Sequence, residues 1–202
     1  MKVFISFTPR QHPGNLAAVV YHPQDNDKLL YGETRFPIIP VIHGYAEDGE
    51  EIRMLLMVED YDNCRRNADA FRQEFEALCQ KKGLRCAGVE ILDVPFDDSV
   101  SSHIAAFQAL IDKLQDGDEL HACITYGSKP SPMVELMALR YARQLKKNTY
   151  ISCIVYGQID HQTGTAKIYD ETALAKLDDV MRVLIDGKIP NPEHALRHIL
   201  DL

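Results

Sequence analysis

At 202 residues the chain has room for one large domain, or one domain with a small appendage, and not for two full domains. Its 26% charged and 46% hydrophobic residues describe a globular protein with no disordered tract, and the net charge of −8 argues against a broad surface for duplex nucleic acid, which would need a basic face. A small anion in a local basic pocket stays allowed. No apolar run approaches the roughly 20 residues that cross a bilayer, and the N-terminus reads as a strand and not a signal peptide, so no membrane association and a cytoplasmic location are expected.

Lys2–Phe7 is the first predicted strand, ending in the polar, Pro/Gly-containing stretch Thr8–Asn15. Ala17–Tyr21 and Lys28–Thr34 are expected to pair as a hairpin across His22–Asp27, a segment of turn composition. Phe36–Ile42 carries Pro37 and Pro40 and reads as an irregular or edge segment. Regular alternation then begins. Ile52–Val58 is a strand, and Asn67–Lys82 a helix with Ala68, Phe71, Phe75, Leu78 and Cys79 on one face; Leu84–Val94 is the next strand. Val100, Ile104, Phe107, Ile111 and Leu114 mark the core face of another helix, stopped by Gly117. Leu120–Thr125 is a strand, Met133, Leu136, Met137, Tyr141 and Leu145 stripe the helix after it, and Tyr150–Tyr156 is the last buried strand. Gln158–His161 and Ala166–Tyr169 form a predicted terminal hairpin, followed by helices over Ala173–Ile185 and beyond Pro190.

Apolar strands separated by amphipathic helices imply an α/β fold with a mostly parallel, Rossmann-like sheet covered on both faces, with β-hairpin additions. The domain is read as residues 1–188, with 189–202 a short helical extension. The odd set Cys64, Cys79, Cys86, Cys123 and Cys153 has no Cys-x-x-Cys pair and reads as reduced thiols. His194 and His198 have the i, i+4 spacing of a metal pair but no third ligand nearby, so no metal is expected. A G-x-G-x-x-G after the first strand, a P-loop, an H-E-x-x-H and a G-x-S-x-G elbow are all absent, and no cofactor is expected.

Chemistry therefore falls to the turns, above all to Tyr126-Gly-Ser-Lys-Pro-Ser-Pro132, where a strand stops and a helix starts at once. Gly127 permits positive φ or a close approach, Ser128 and Ser131 offer hydroxyls, and Lys129 offers a mobile cation. Pro130 and Pro132 suit the first turn of a helix whose positive dipole end favours an anion. Residues of the loop after the first strand, Ser6, Thr8, Arg10 and His12, are the other candidates.

The turn at Cys123–Pro132, with Tyr156-Gly157 and Tyr169-Asp-Glu-Thr172, resembles the CRISPR-associated Rossmann fold, or CARF, family, in a branch with an Asp-Ile-Thr-His-Gly-Phe-Arg-x-x-Pro segment. Ile124, Thr125, Gly127 and Pro132 match; Lys129 replaces arginine with charge retained; Cys123, Tyr126 and Ser128 replace aspartate, histidine and phenylalanine. Lys2–Phe7 is similar to the family's first strand, and Tyr31–Pro37 to its aromatic and Thr-rich hairpin exit. The resemblance implies a homodimer that binds cyclic oligoadenylate, tetra- or hexa-adenylate, across its two-fold axis as a sensor or ancillary protein of type III CRISPR antiviral defence. It implies a ligand site of Ser6, Phe7, Thr8, Pro9 and Arg10 with Thr125, Tyr126, Gly127, Ser128, Lys129, Tyr156 and Gly157. Some relatives cleave the ring without metal by attack of a ribose 2′-OH, for which Lys129, Ser6 and Ser128 are the candidate catalytic residues and His12 or Tyr126 the proton carriers. Attached effectors of the family leave no motif here. The alternative is a Rossmann-like enzyme or binding module for another phosphorylated small molecule.

Overall fold

A computed structural model describes residues 1–160 and 162–200. Eight strands form one sheet in the order β3-β2-β8-β7-β6-β1-β4-β5: β1 (Lys2–Phe7), β2 (Val19–Pro23), β3 (Glu33–Thr34), β4 (Ile52–Glu59), β5 (Val89–Val94), β6 (Glu119–Cys123), β7 (Tyr150–Ile159) and β8 (Ala166–Asp170). The pairings β1–β4, β1–β6, β4–β5, β6–β7 and β2–β8 are parallel; β7–β8 and β2–β3 are antiparallel. This is the α/β, mostly parallel architecture expected from the alternating apolar strands and amphipathic helices.

The helices are α1 (Ile38–Tyr45), α2 (Asp62–Lys82), α3 (Val100–Ile111), α4 (Ser131–Leu145), α5 (Thr172–Asp186) and α6 (Pro192–Ile199). Strand residues alternate between two covered faces. Phe4, Met54, Leu56, Val58 and Val155 share one cluster with Ile38, Ile42, Phe71 and Phe75 of α1 and α2. Val3, Ile5, Leu55, Leu120 and Ile154 are equally buried and point the other way, toward the layer holding α3 and α4. Both faces of β1 are therefore dry, which explains why its sequence shows no polar alternation. The chain divides into two compact units, Met1–Asp170 and Glu171–Leu202, earlier than the 188/189 boundary read from the sequence. The second unit is the pair α5 and α6, on which His194 and His198 lie with ring centroids 4.4 Å apart. No cluster of three or more metal-binding side chains occurs among the described residues. No helix is long and apolar enough to cross a membrane among the described residues.

Four local expectations are corrected. Phe36–Ile42 is no edge segment: α1 starts at Ile38, since Pro37 is its N-cap and Pro40 its third residue, positions whose N–H groups have no intrahelical partner to lose. The expected hairpin shrinks to Val19↔Thr34 and Val20↔Glu33, because β2 spends its remaining length beside β8 and Asp27–Leu29 turns into a 3-10 helix. Strand β5 begins at Val89, after Gly88 at φ 94°, and not at Leu84. The terminal hairpin forms between β7 and β8, while His161, placed in it from the sequence, lies outside the described residues.

The fourth correction concerns helix faces. Both α3 and α4 bury their small side chains, Ser102 and Ala106 on one, Ala138 and Ala142 on the other, with Leu110 and Leu139. The large stripes read as core point outward: Val100 is 74% exposed, Ile104 51%, Met133 62% and Met137 52%. Small residues let a helix lie close to the sheet, so size, not hydrophobicity, decided the face.

Two of the ionisable side chains buried in this fold, His121 and Glu135, have no hydrogen-bond partner among the described residues. His121 of β6 stacks on Phe4 at 4.6 Å and meets Tyr45 at 4.9 Å, and burial lowers its pKa from 6.5 to about 4. Its Nε2 lies 3.3 Å from Glu119 without the alignment of a hydrogen bond, so the ring is neutral at pH 7. On the other side, Glu135 of α4 is fully buried with both oxygens unbonded, and desolvation holds it protonated well above its ordinary 4.5. The two oppose each other. Below pH 6.5 the unfolded chain takes up the His121 proton that the folded chain refuses, so stability falls toward pH 4, by up to about 3 kcal/mol. Above pH 4.5 the unfolded chain releases the Glu135 proton that the folded chain keeps, so acidification from neutral pH returns stability. Glu135→Gln should raise stability at pH 7 and steepen the loss between pH 7 and pH 5, as read by urea unfolding; an unchanged pH slope would refute the opposition.

Candidate functional site

After β1 the chain lays β2 and β3 at the far edge, returns to add β4 and β5 on one side of β1, then crosses back to place β6 on the other. The strand order therefore reverses between β1 and β6. In open parallel sheets ligands bind beyond the carboxyl ends of the strands at such a point. The two segments that leave these ends are Thr8–Gln11 after β1 and Ile124–Pro130 after β6, so the topology brings together both halves of the site anticipated from the sequence.

Gly127 holds the second segment in shape. Its φ is 98°, and a Cβ placed there would lie 2.6 Å from the Ser131 side chain and 3.1 Å from the Phe7 ring. Glycine is required twice over, by conformation and by space. Ser131 then closes the turn: its Oγ accepts the Ser128 N–H at 2.9 Å and pairs with the Ser128 hydroxyl at 3.0 Å, while its own N–H donates to the Ser128 carbonyl. Met133 and Val134 donate to the Pro130 carbonyl, and Pro132 has no N–H. The amides of Gly127 and Lys129 have no acceptor among the described residues. Lys129 is exposed and pairs with no acid among the described residues.

Neighbouring residues clamp the turn from behind. Thr125 Oγ1 accepts the Gly157 N–H at 2.8 Å, and a Cβ on Gly157 would strike Pro37 at 2.5 Å, so the Tyr156-Gly157 pair is a packing device between β7 and α1. Tyr126 donates its hydroxyl to the Arg35 carbonyl at 2.7 Å; burial and the adjacent Tyr21 push its pKa well above 10. Tyr156, in contrast, is exposed.

On the β1 side the polar groups are engaged internally. Ser6 is buried and donates to the Phe7 carbonyl, and Thr8 is buried and donates to the Met57 carbonyl at 3.3 Å. Phe7 and Pro9 are buried beside them, and the Asn67 amide donates to the Pro9 and Gln11 carbonyls. Arg10 forms a two-pronged pair with Glu59 at 2.5 and 2.6 Å, reaches Asp98 at 3.3 Å and sits 4.9 Å from the Phe96 ring centre. Its charge is thus already balanced. His12 is exposed, and its Nδ1 accepts the Gly14 N–H. Of the residues anticipated, the exposed ones are His12, Lys129 and Tyr156, and the open amides belong to Gly127 and Lys129. Ser131, read from the sequence as a hydroxyl for a ligand, instead closes the turn, and one organising residue was not anticipated: Glu59, the acidic residue that ends the apolar run Met54–Val58.

The sequence matches no family model and no curated protein.

Gly127→Ala should cost about 1–3 kcal/mol of stability through forced positive φ and the Ser131 contact, measured by chemical denaturation. Tyr126→Phe should cost about 1 kcal/mol by leaving the Arg35 carbonyl without its donor. A Gly127→Ala protein as stable as wild type would show that the turn relaxes freely.

Proposed function

We propose that this protein binds cyclic oligoadenylate, with the phosphates on the Gly127–Lys129 turn, as a two-fold pair of chains acting in the cytoplasm in type III CRISPR defence. The observation that carries this reading is the coincidence, at the sheet's reversal point, of two unengaged amides, an unpaired lysine and the N-terminal end of the fifteen-residue helix α4. Backbone amides recognise phosphate without reading a base, and Lys129 adds a charge-assisted contact on a flexible stem. The local potential is what matters for an acidic protein binding a polyanion.

The same geometry favours binding over ring cleavage. Of Lys129, Ser6 and Ser128, the two hydroxyls are buried and spent within the fold, and Tyr126 is tied to Arg35. Lys129 remains to stabilise charge, while in-line attack also needs a held geometry and a proton path. The reading is therefore a sensor.

Excess protein mixed with cyclic tetra- and hexa-adenylate in EDTA, separated by gel filtration and analysed by mass spectrometry, should carry intact ring. Linear or cyclic-phosphate-ended fragments would make it a ring nuclease, and a protein fraction free of nucleotide would remove the reading in favour of another phosphorylated ligand. Lys129→Ala should weaken ring binding by about 1–3 kcal/mol in calorimetry while leaving the thermal transition unchanged.

A further inference from the structure

We propose that Cys79 and Cys86 are a thiol pair that a hydroperoxide converts into a reversible disulfide, stapling the end of α2 to the chain that enters edge strand β5. Their sulfurs stand 3.3 Å apart, seven residues from one another in sequence. The other three cysteines, Cys64, Cys123 and Cys153, are buried at 0% exposure, with their sulfurs against Glu59, Thr125 and Asp170.

Local structure sets this pairing without a Cys-x-x-Cys motif. Helix α2 stops at Gly83, whose φ of 62° turns the chain back so that the Leu84 N–H donates to the Cys79 carbonyl at 2.9 Å. Arg85 is then pinned beside the start of β4: its N–H donates to the Glu50 carbonyl at 2.8 Å, and its carbonyl accepts the Ile52 N–H at 2.9 Å. With residues 84 and 85 held in this way, Cys86 lies against Cys79.

The surroundings of the two thiols differ, and the difference assigns their roles. Cys79 is 8% exposed, whereas Cys86 is half-buried and within reach of solvent. Burial, and next the neighbouring Cys86 sulfur, raise the Cys79 pKa, which keeps Cys79 a thiol at neutral pH. Cys86 is therefore the sulfur that a peroxide meets. It gives up its proton and attacks one peroxide oxygen; the O–O bond breaks, hydroxide leaves as water, and Cys86 becomes a sulfenic acid. The Cys79 sulfur then attacks the Cys86 sulfur, the S–O bond breaks, and the Cys79 proton departs with hydroxide as a second water. The two thiols lose two electrons and one peroxide takes them. A transient disulfide of this kind suits a chain whose cysteines are otherwise reduced.

Strand β5 is an edge of the sheet, so the staple secures an element that has β4 on one side alone. The pair precedes the start of β5 at Val89, at the amino ends of the parallel strands, while the Gly127–Lys129 turn lies beyond their carboxyl ends. The inference therefore stands apart from ring binding.

Hydrogen peroxide applied to the full chain, followed by N-ethylmaleimide in urea and trypsin without reductant, tests the pair by mass spectrometry. Trypsin cuts after Lys81, Lys82 and Arg85, between the two cysteines, so a disulfide is what keeps their peptides joined. Wild type should give that joined species, separated by dithiothreitol, while Cys64, Cys123 and Cys153 take up maleimide. Cys79→Ser should leave Cys86 as a sulfenic acid captured by dimedone, and Cys86→Ser should leave Cys79 an unoxidised thiol. In urea unfolding, the unfolding constant of the oxidised protein should be about ten- to a hundredfold below that of the reduced one, the scale for closing so short a loop. Peptides that stay separate, whether Cys86 is untouched or carried to sulfinic acid, would overturn the assignment. So would a bridge to any other cysteine, or equal stability of the oxidised and reduced protein.

Discussion

A single backbone position sets the geometry on which the site depends. With φ at 98° and the Ser131 side chain within 2.6 Å of where a Cβ would stand, residue 127 cannot be other than glycine without a shift of the turn. That constraint lets Ser131 reach back to Ser128, which consumes the donors nearest the helix end and leaves the amides of Gly127 and Lys129 outside the internal network. The helix contributes its dipole, and the preceding turn contributes the hydrogen bonds.

The parallel sheet was legible because strands buried on both faces have to be continuous apolar runs, as Ile52–Val58 and Tyr150–Tyr156 are. The turn was legible as a turn because Gly127 and the prolines at 130 and 132 punctuate the passage from an apolar strand to an amphipathic helix. Helix faces were misread where two stripes competed. On α4 the periodic positions Met133 and Met137 are as regular as the buried set Val134, Ala138 and Ala142, and only the space available against the sheet distinguishes them. A buried, unpartnered Glu135 within that set made the true core face look polar.

The hydroxyls after β1 illustrate a different limit. Ser6, Thr8 and Arg10 have the composition of an anion loop, yet each is satisfied by a group distant in sequence or by its own backbone, Arg10 by Glu59 and Thr8 by Met57. Composition reports what a side chain can bond; tertiary pairing decides what it does bond. Strand β1 still matters to the site, since Phe7 packs under Gly127 and so transmits the position of the sheet to the turn.

The clamp behind the turn has a bearing on how the protein comes to be. Tyr126 and Arg35 are 91 residues apart, Thr125 and Gly157 are 32 apart, and β1 acquires its β6 partner only from residues 119–123. Contacts of such separation carry a large loop-closure entropy and form once most of the sheet is in place. The turn therefore has no shape of its own in a nascent or half-folded chain. It acquires one when segments near residues 35, 125 and 157 have met, so the ability to hold a ligand appears together with the completed fold and not before it.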